Sequence, residues 1–178
     1  IRGSFHHEVA TTYFSDAFDV REYLSFDALA LALKNGEINF AVMAIENSIA
    51  GSIIPNYALI DQNDFHIVGE HNLSIHHHLM ALDGQTIEAL EEVRSHPMAL
   101  LQCKQFFMQY PHIRLVESAD TADEARKIAA NKTEGVAAIA PKRAAEIYGL
   151  SVLAASIQTI QNNVTRFVIL QKETPAFE

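Results

Sequence analysis

The stretch Val93–Ala140, VRSHPMALLQCKQFFMQYPHIRLVESADTADEARKIAANKTEGVAAIA, decides the fold class because it alternates two periods. Val93–Ser95 is a short extended run. His96-Pro97 then opens a helix to about Tyr110, since Pro suits the first helical position. Ile113–Glu117 returns to a strand pattern, and Asp120 or Thr121 offers the side-chain oxygen that caps a helix to about Asn131. Val136–Ala140 (VAAIA) is apolar throughout, as expected of a strand covered on both faces. Strand and helix in regular alternation argue for an α/β protein with parallel sheets and helices on both faces.

Outward from this stretch the alternation continues. A short helix at 142–148 stops at Gly149, and Thr165–Leu170 (TRFVIL) closes the pattern as a strand. Upstream, Thr86 caps a short helix to Glu92, and residues 65–82 read as two extended segments, FHIVGEH and LSIHHHLMAL. Phe40–Ile45 (FAVMAI) is a second buried strand; it ends in Glu46-Asn47-Ser48, with Gly51 and a helix to about Asp61 beyond it. Ser25 caps a helix over Phe26–Asn35 that Gly36 ends, and Val20–Tyr23 is extended. Residues 6–15 place Val9, Ala10, Tyr13 and Phe14 on one helical face. The tail KETPAFE, residues 172–178, reads as the start of a linker, and the absence of an initial Met reads as trimming.

The chain has 178 residues, enough for one domain or two small lobes that bury roughly 70% of the unfolded surface. Thirteen Lys and Arg against 22 Asp and Glu give a net charge of −9, which is unsuited to nucleic-acid binding. One cysteine, Cys103, excludes an internal disulfide and any multi-Cys zinc site, and fits a cytoplasmic protein. No apolar run approaches the ~18 residues of a spanning helix, so no membrane partner is expected.

Three polar turns follow strand C-termini: Asn47-Ser48, Ser95-His96 and Asp120-Thr121. Ligands of open α/β sheets bind at such ends, and helix N-termini there favour anions. These residues, and Ser4 before the first helix, also suit plain turns and caps. His76 and His78 share one strand face while His77 points away, but no metal-ligand spacing accompanies them, so no metal is expected. Cys103 sits mid-helix among Leu100, Leu101, Phe106 and Phe107, where it reads as core filler. Asn162-Asn163 suggests a tight loop, after which Thr165 and Phe167 share one strand face and Arg166 takes the other.

Gly-Ser-Phe (3–5), Ile-Glu-Asn-Ser (45–48) with Gly51, Ser-His-Pro (95–97) with Gln102-Cys103, Tyr-Gly-Leu (148–150) and Thr-Arg-Phe (165–167), in this order, resemble the prephenate dehydratase catalytic domain over nearly the whole chain. The sequence departs from that pattern at Met98 and Thr159, and only Ile1-Arg2-Gly3 stands where a first strand normally precedes the Gly-Ser-Phe turn. The resemblance implies a two-lobed fold like the type II periplasmic binding proteins, with mixed and parallel sheets. Residues 1–72 plus 155–178 form one lobe, 73–154 the other, and the site lies in the cleft between them. It also implies a C-terminal ACT-type regulatory domain, about whose expected start this sequence ends.

The implied reaction is the conversion of prephenate to phenylpyruvate in phenylalanine biosynthesis, without a cofactor. Arogenate, the amino analogue, is an alternative substrate, and a non-catalytic small-anion receptor is an alternative function. The resemblance makes Thr165 catalytic and Ser4, Asn47, Ser48, Ser95, Gln102, Thr121 and Arg166 substrate-binding, with Gly51 and Phe167 as structural members of the motifs. The small-molecule substrate is the one expected partner, and a homo-oligomer is left open.

Overall fold

A computed structural model describes residues 1–15 and 18–172. The expected linker tail lies outside the described residues from Glu173 onward. The chain divides into two compact units. Ile1, His6–Ser74 and the segment from Asn163 form the first, and Arg2–Phe5 with Ile75–Asn162 the second. The sequence reading divides the chain at 72/73 and 154/155; the units divide it at 74/75 and 162/163. Residues 155–162 go with the second unit because Ile157 N donates to His77 O and Thr159 N donates to Gln102 O. Arg2–Phe5 go with it as Tyr148 Oη donates to Arg2 O at 2.7 Å.

The first unit holds α1 (Phe5–Phe14, from His6), α2 (Phe26–Lys34), α3 (Ile54–Gln62) and the strands β1 (Ala41–Asn47), β2 (Gly51–Ser52), β3 (His66–Ser74) and β9 (Val164–Gln171). Ser25 caps α2 through Ala28 N at 3.1 Å, as its sequence predicts. The sheet order is β2-β1-β9-β3, and every pair in it is antiparallel. That corrects the parallel expectation for this half. β1 and β3 both run opposite to β9, so they run parallel to each other and α3 is the crossover between them. The last strand of the chain is inserted between the two. Its core is Leu33, Met43, Ile45, Phe65, Val168 and Leu170, with Ala30 and Ala41. Val20–Tyr23 forms no strand. Arg21 and Glu22 stay in water, and two half-buried apolar residues do not offset the cost of ordering the run. Of the expected α1 face only Val9 is fully buried.

The second unit contains β4 (His78–Ala81), β5 (Glu92–Ser95), α4 (Pro97–Phe107), β6 (Arg114–Glu117), α5 (Thr121–Asn131), β7 (Val136–Ala140), α6 (Lys142–Tyr148) and β8 (Ser151–Ala154). Its sheet order is β6-β5-β7-β4-β8. β5 pairs in parallel with β6 and β7, as the alternation predicts, whereas β4 is antiparallel to both β7 and β8. Here too a strand is inserted: β4 separates β7 from β8, which α6 connects. The sequence reading has no strand at β8, and its helix from Thr86 to Glu92 is only a 3-10 turn at Ile87–Ala89. Glu92 belongs instead to β5, where it is ion-paired with Arg94 and Arg114. Asp120, not Thr121, caps α5 through Asp123 N. The Gly3 turn needs glycine: its φ is +84°, and a Cβ there would stand 2.9 Å from Ala144 Cα.

β1 carries a bulge between Ala44 and Glu46, and the backbone groups of Ala44 are served by side chains. Asn56, 2% exposed, donates to Ala44 O at 2.7 Å, and Ala44 N donates to His6 Nε2 at 3.3 Å. Burial pushes the His6 imidazole down to about 4 from an ordinary 6.5, with the N-terminal ammonium adding to the effect. Its folded pKa lies below its unfolded one, so the unfolded chain takes the proton first. Stability is therefore full above pH 6.5 and falls as pH drops toward 4. The loss approaches about 3 kcal/mol at about 1.4 kcal/mol per pH unit. Melting temperatures at pH 7 and pH 4.5 should fall further for the wild type than for His6→Gln, which keeps an acceptor for Ala44 N but does not titrate. Equal falls would remove His6 from the acid response.

Candidate active site

Thr165 and Asn47 face one another because of the β1 bulge. Ala44 pairs with Phe167, but beyond the extra residue Glu46 pairs with Arg166 and Asn47 with Thr165. Without Ile45 as the extra residue, Thr165 would stand opposite the Glu46 carboxylate. In the observed register Asn47 Nδ2 donates to Thr165 Oγ1 at 2.9 Å, to Asn163 Oδ1 at 2.8 Å and to Val164 O at 3.3 Å. Asn47 Oδ1 accepts from Ile49 N at 3.0 Å and Ala50 N at 2.9 Å, which fixes the orientation of the amide. Ser48 closes the same corner: its N donates to Val164 O, and its Oγ accepts from Val164 N at 2.9 Å. Thr165 is 8% exposed and Asn163 1%.

Arg166 lies on the opposite face of β9, as strand alternation requires. Its guanidinium donates to Glu70 Oε2 at 2.7 Å and stands 3.8 Å from Glu46. Arg166 holds the Glu70 carboxyl below the usual range, through the hydrogen bond first and charge second. Within the first unit two carboxylates engage the guanidinium, on the face away from Thr165. Gly51, at φ +83°, lets β2 turn back to pair with Asn47. Phe167 shares the Thr165 face and is buried, with the His6 ring edge-on at 4.9 Å.

In the second unit, Ser95 ends β5 fully buried, and its Oγ donates to Ile139 O at 2.7 Å. That hydroxyl proton braces β5 against β7. Gln102 on α4 is held by His77, whose Nε2 lies 2.9 Å from Gln102 Oε1. Thr121 opens α5 half-buried, and Ser4 is buried in the Gly3 turn. Cys103 is fully buried, and burial pushes its thiol up to about 12, so it is core filler and no nucleophile. His76 and His78 both turn a ring nitrogen to Ser156. Among the described residues no three His, Cys, Asp or Glu side chains are grouped for a metal.

The prephenate dehydratase family model matches residues 1–175. The chain belongs to the prephenate dehydratase family. Among its relatives is arogenate dehydratase/prephenate dehydratase 2 of Arabidopsis thaliana, 42% identical over 83% of this chain and 39% of that protein. The bifunctional chorismate mutase/prephenate dehydratase of Enterobacter agglomerans is 35% identical over 97% of this chain and 45% of that protein. The crystal structure of Staphylococcus aureus prephenate dehydratase superposes with a TM-score of 0.77 at 27% identity, over 98% of this chain and 64% of that one. The chain thus spans less than half the length of these two curated relatives. The fold is the family's α/β one, with mixed sheets.

Two members of these clusters are absent from the candidate residues read in the sequence. Asn163 appears there only as a loop residue, although an Asn pair directly before the Thr-Arg-Phe strand is the signal that could have found it. His77 is passed over because alternation directs it away from its neighbours. Asn47→Asp tests the corner they reveal. The carboxylate keeps both backbone N–H bonds and can accept from the Thr165 O–H, but it faces the acceptor Asn163 Oδ1 without a proton to give. Stability should fall by about 1–3 kcal/mol at pH 7, the cost of leaving such partners unmet. Only the ionised form repels, which raises the carboxyl pKa in the folded state above its unfolded value near about 4, so the loss should shrink as pH falls toward about 4 and be gone below it. Denaturant midpoints of both proteins at pH 7 and pH 3.5 measure it, and a loss that does not change with pH would contradict the assigned orientation.

Proposed function

We propose that this chain converts prephenate to phenylpyruvate, carbon dioxide and water, a step of phenylalanine biosynthesis. As the ring carboxylate leaves as CO2, its bonding electrons pass into the ring, which becomes aromatic. The ring C–O bond breaks, and its pair departs with the hydroxyl, which a proton converts to water. Aromatisation supplies the drive. The resistance is charge building on a poor leaving group, so a donor aimed at that oxygen is what the reaction needs.

The observation that carries the proposal is the 2.9 Å hydrogen bond from Asn47 Nδ2 to Thr165 Oγ1. An oxygen that accepts an N–H becomes a stronger donor through its own O–H, and the amide keeps that O–H directed elsewhere. Thr165 is largely buried, where such an interaction is stronger than in water. An alcohol is too weak an acid to be the sole proton source, so Thr165 acts as a hydrogen-bond donor that strengthens as the C–O bond breaks. One donor of this kind is worth about 3–4 kcal/mol, or 10²–10³ in rate. Asn47, with Asn163 and Ser48 behind it, holds Thr165 in place. Ser4, Ser95, Gln102 and Thr121 are the proposed substrate contacts of the second unit, with the Ser95 hydroxyl also bonded to Ile139 O. Arg166 braces β9 against β1 and β3. The ring chemistry is the same for arogenate, and relatives carry both names, so both substrates belong in the assay.

Purified protein should form phenylpyruvate from prephenate, or phenylalanine from arogenate, and a chelator should leave the rate unchanged because the step requires no Lewis acid. Binding without turnover would favour the small-anion receptor.

Thr165→Ala should lower kcat by at least ~10² with little change in KM, since the hydroxyl meets the substrate mainly in the transition state. Thr165→Ser keeps the donor and should keep much of the activity. If Thr165 only packs in its strand, the Ala variant loses about 1 kcal/mol of stability and retains its kcat. Melting temperature and kcat on the same variant separate the two roles.

A further inference from the structure

Three distant segments of the second unit meet at one amide. His77 Nε2 lies 2.9 Å from Gln102 Oε1, and the two residues are 25 apart in sequence. The segment Ile157–Thr159 clamps both of them. Ile157 N donates to His77 O and Thr159 N to Gln102 O, each at 2.9 Å, while His77 N donates to Gln158 Oε1 at 2.9 Å. Gln158 is itself buried, and its carbonyl accepts from Gln161 Nε2 at 2.6 Å. The backbone of His77 is thus bonded on both sides, and its ring points at Gln102.

An amide oxygen accepts and never donates, so Nε2 is the protonated nitrogen of His77 and Nδ1 carries a lone pair. That Nδ1 is buried without a hydrogen-bond partner among the described residues, with the Phe5 ring 5.7 Å from the imidazole at 79°. A buried orphan of this kind costs stability, and a phenylalanine at position 77 would fill the space without it. Burial also lowers the His77 pKa, which keeps Nδ1 unprotonated. Among the described residues, the one hydrogen bond of the imidazole is its N–H to Gln102.

We propose that His77 is a positioning residue for Gln102, fixing the side-chain amide so that its Nε2 donors are presented away from Oε1. A glutamine side chain has three torsions, and its amide can face either way at similar steric cost. Anchoring Oε1 selects one rotamer and one orientation before substrate arrives, so that neither has to be ordered on binding. The proposal rests on reading Gln102 as a substrate-binding residue.

The test is a cycle of His77→Phe, Gln102→Ala and the double variant, read as kcat/KM for prephenate alongside melting temperature. Each single change should lower kcat/KM about tenfold, chiefly through KM, the scale of one lost hydrogen bond. The double variant should fall within about twofold of Gln102→Ala, because a residue acting through Gln102 has nothing left to position. His77→Gln, which keeps an N–H in similar reach, should recover activity to within about threefold of wild type. If His77→Phe costs the same factor with and without Gln102, the role is packing and the proposal is overturned on its own. If Gln102→Ala leaves kcat/KM unchanged, the substrate-binding reading of Gln102 fails and takes the proposal with it. Should His77→Phe not fold, nitrogen NMR of the wild type decides. A protonated Nε2 and bare Nδ1, with an Nε2 proton that exchanges faster in Gln102→Ala, supports the proposal. The opposite tautomer overturns it.

Discussion

The amide of Asn47 is where strand register in the first unit decides which side chains meet. It has four hydrogen-bonding sites, and all four are engaged within one corner: two backbone N–H groups on Oδ1, then Asn163 and Thr165 on Nδ2. Two features upstream make this possible. The bulge moves the β1–β9 register by one residue, and Ala44 at the bulge is kept bonded by His6 and Asn56. An undisturbed ladder would leave β1 equally well paired but would set a carboxylate opposite Thr165. A like-charged or purely accepting neighbour there would oppose charge developing on a departing oxygen. The irregular strand is therefore tied to the chemistry more closely than the regular ones, in keeping with the habit of bulges to re-aim a side chain.

The elements themselves were largely legible in the sequence, and their partners were not. Ser25, Asp120, Pro97 and Gly149 mark helix ends through local hydrogen bonding and backbone preference, which need no knowledge of the rest of the chain. Strand pairing is a non-local choice. In both sheets a helix joins two strands that run parallel, as the alternation implies, yet a third strand from elsewhere separates them: β9 between β1 and β3, and β4 between β7 and β8. Nothing within β1–α3–β3 signals that a strand from the end of the chain will enter, since β9 is apolar enough to suit any central position. β8 escaped notice for a related reason. Its four residues are half-exposed at a sheet edge, so they carry little hydrophobic pattern.

The site divides along the same line. Asn47, Ser48 and Thr165 stand in recognisable motifs, and the structure brings them into one hydrogen-bonded corner. Alternation also places Arg166 on the other face of β9, and the geometry agrees: Glu70 and Glu46 occupy its guanidinium there. The family motif alone, with Thr and Arg adjacent, invites a joint role that a pleated strand forbids without a twist or a bulge between them. His77 and Asn163 work through another side chain, and residues of that kind leave little trace in a sequence. Their partners lie 25 and 116 residues away.

Under the proposed function a chain of net charge −9 holds a dianion and needs positive potential supplied locally, and the helix N-termini of the second unit are unequal in this respect. α5 begins with Asp120 as its cap and carries Asp123 and Glu124 in the first turn. Asp123 is paired with Arg126 and Lys127, and Glu124 with Lys127, yet the end of the helix dipole is already answered by protein carboxylates. α4 has no acid in its first turn, and its cap is the neutral acceptor Nδ1 of His96 on Met98 N. A substrate carboxylate at Thr121 would meet like charge, whereas one near the start of α4 would meet an uncompensated dipole with Gln102 one and a half turns further along the same helix. Under the proposed function Thr121 and the Gln102 helix both contact the substrate, and of the two the Gln102 helix is the one whose first turn carries no acid. That asymmetry gives the fixed amide of Gln102 its weight in the site.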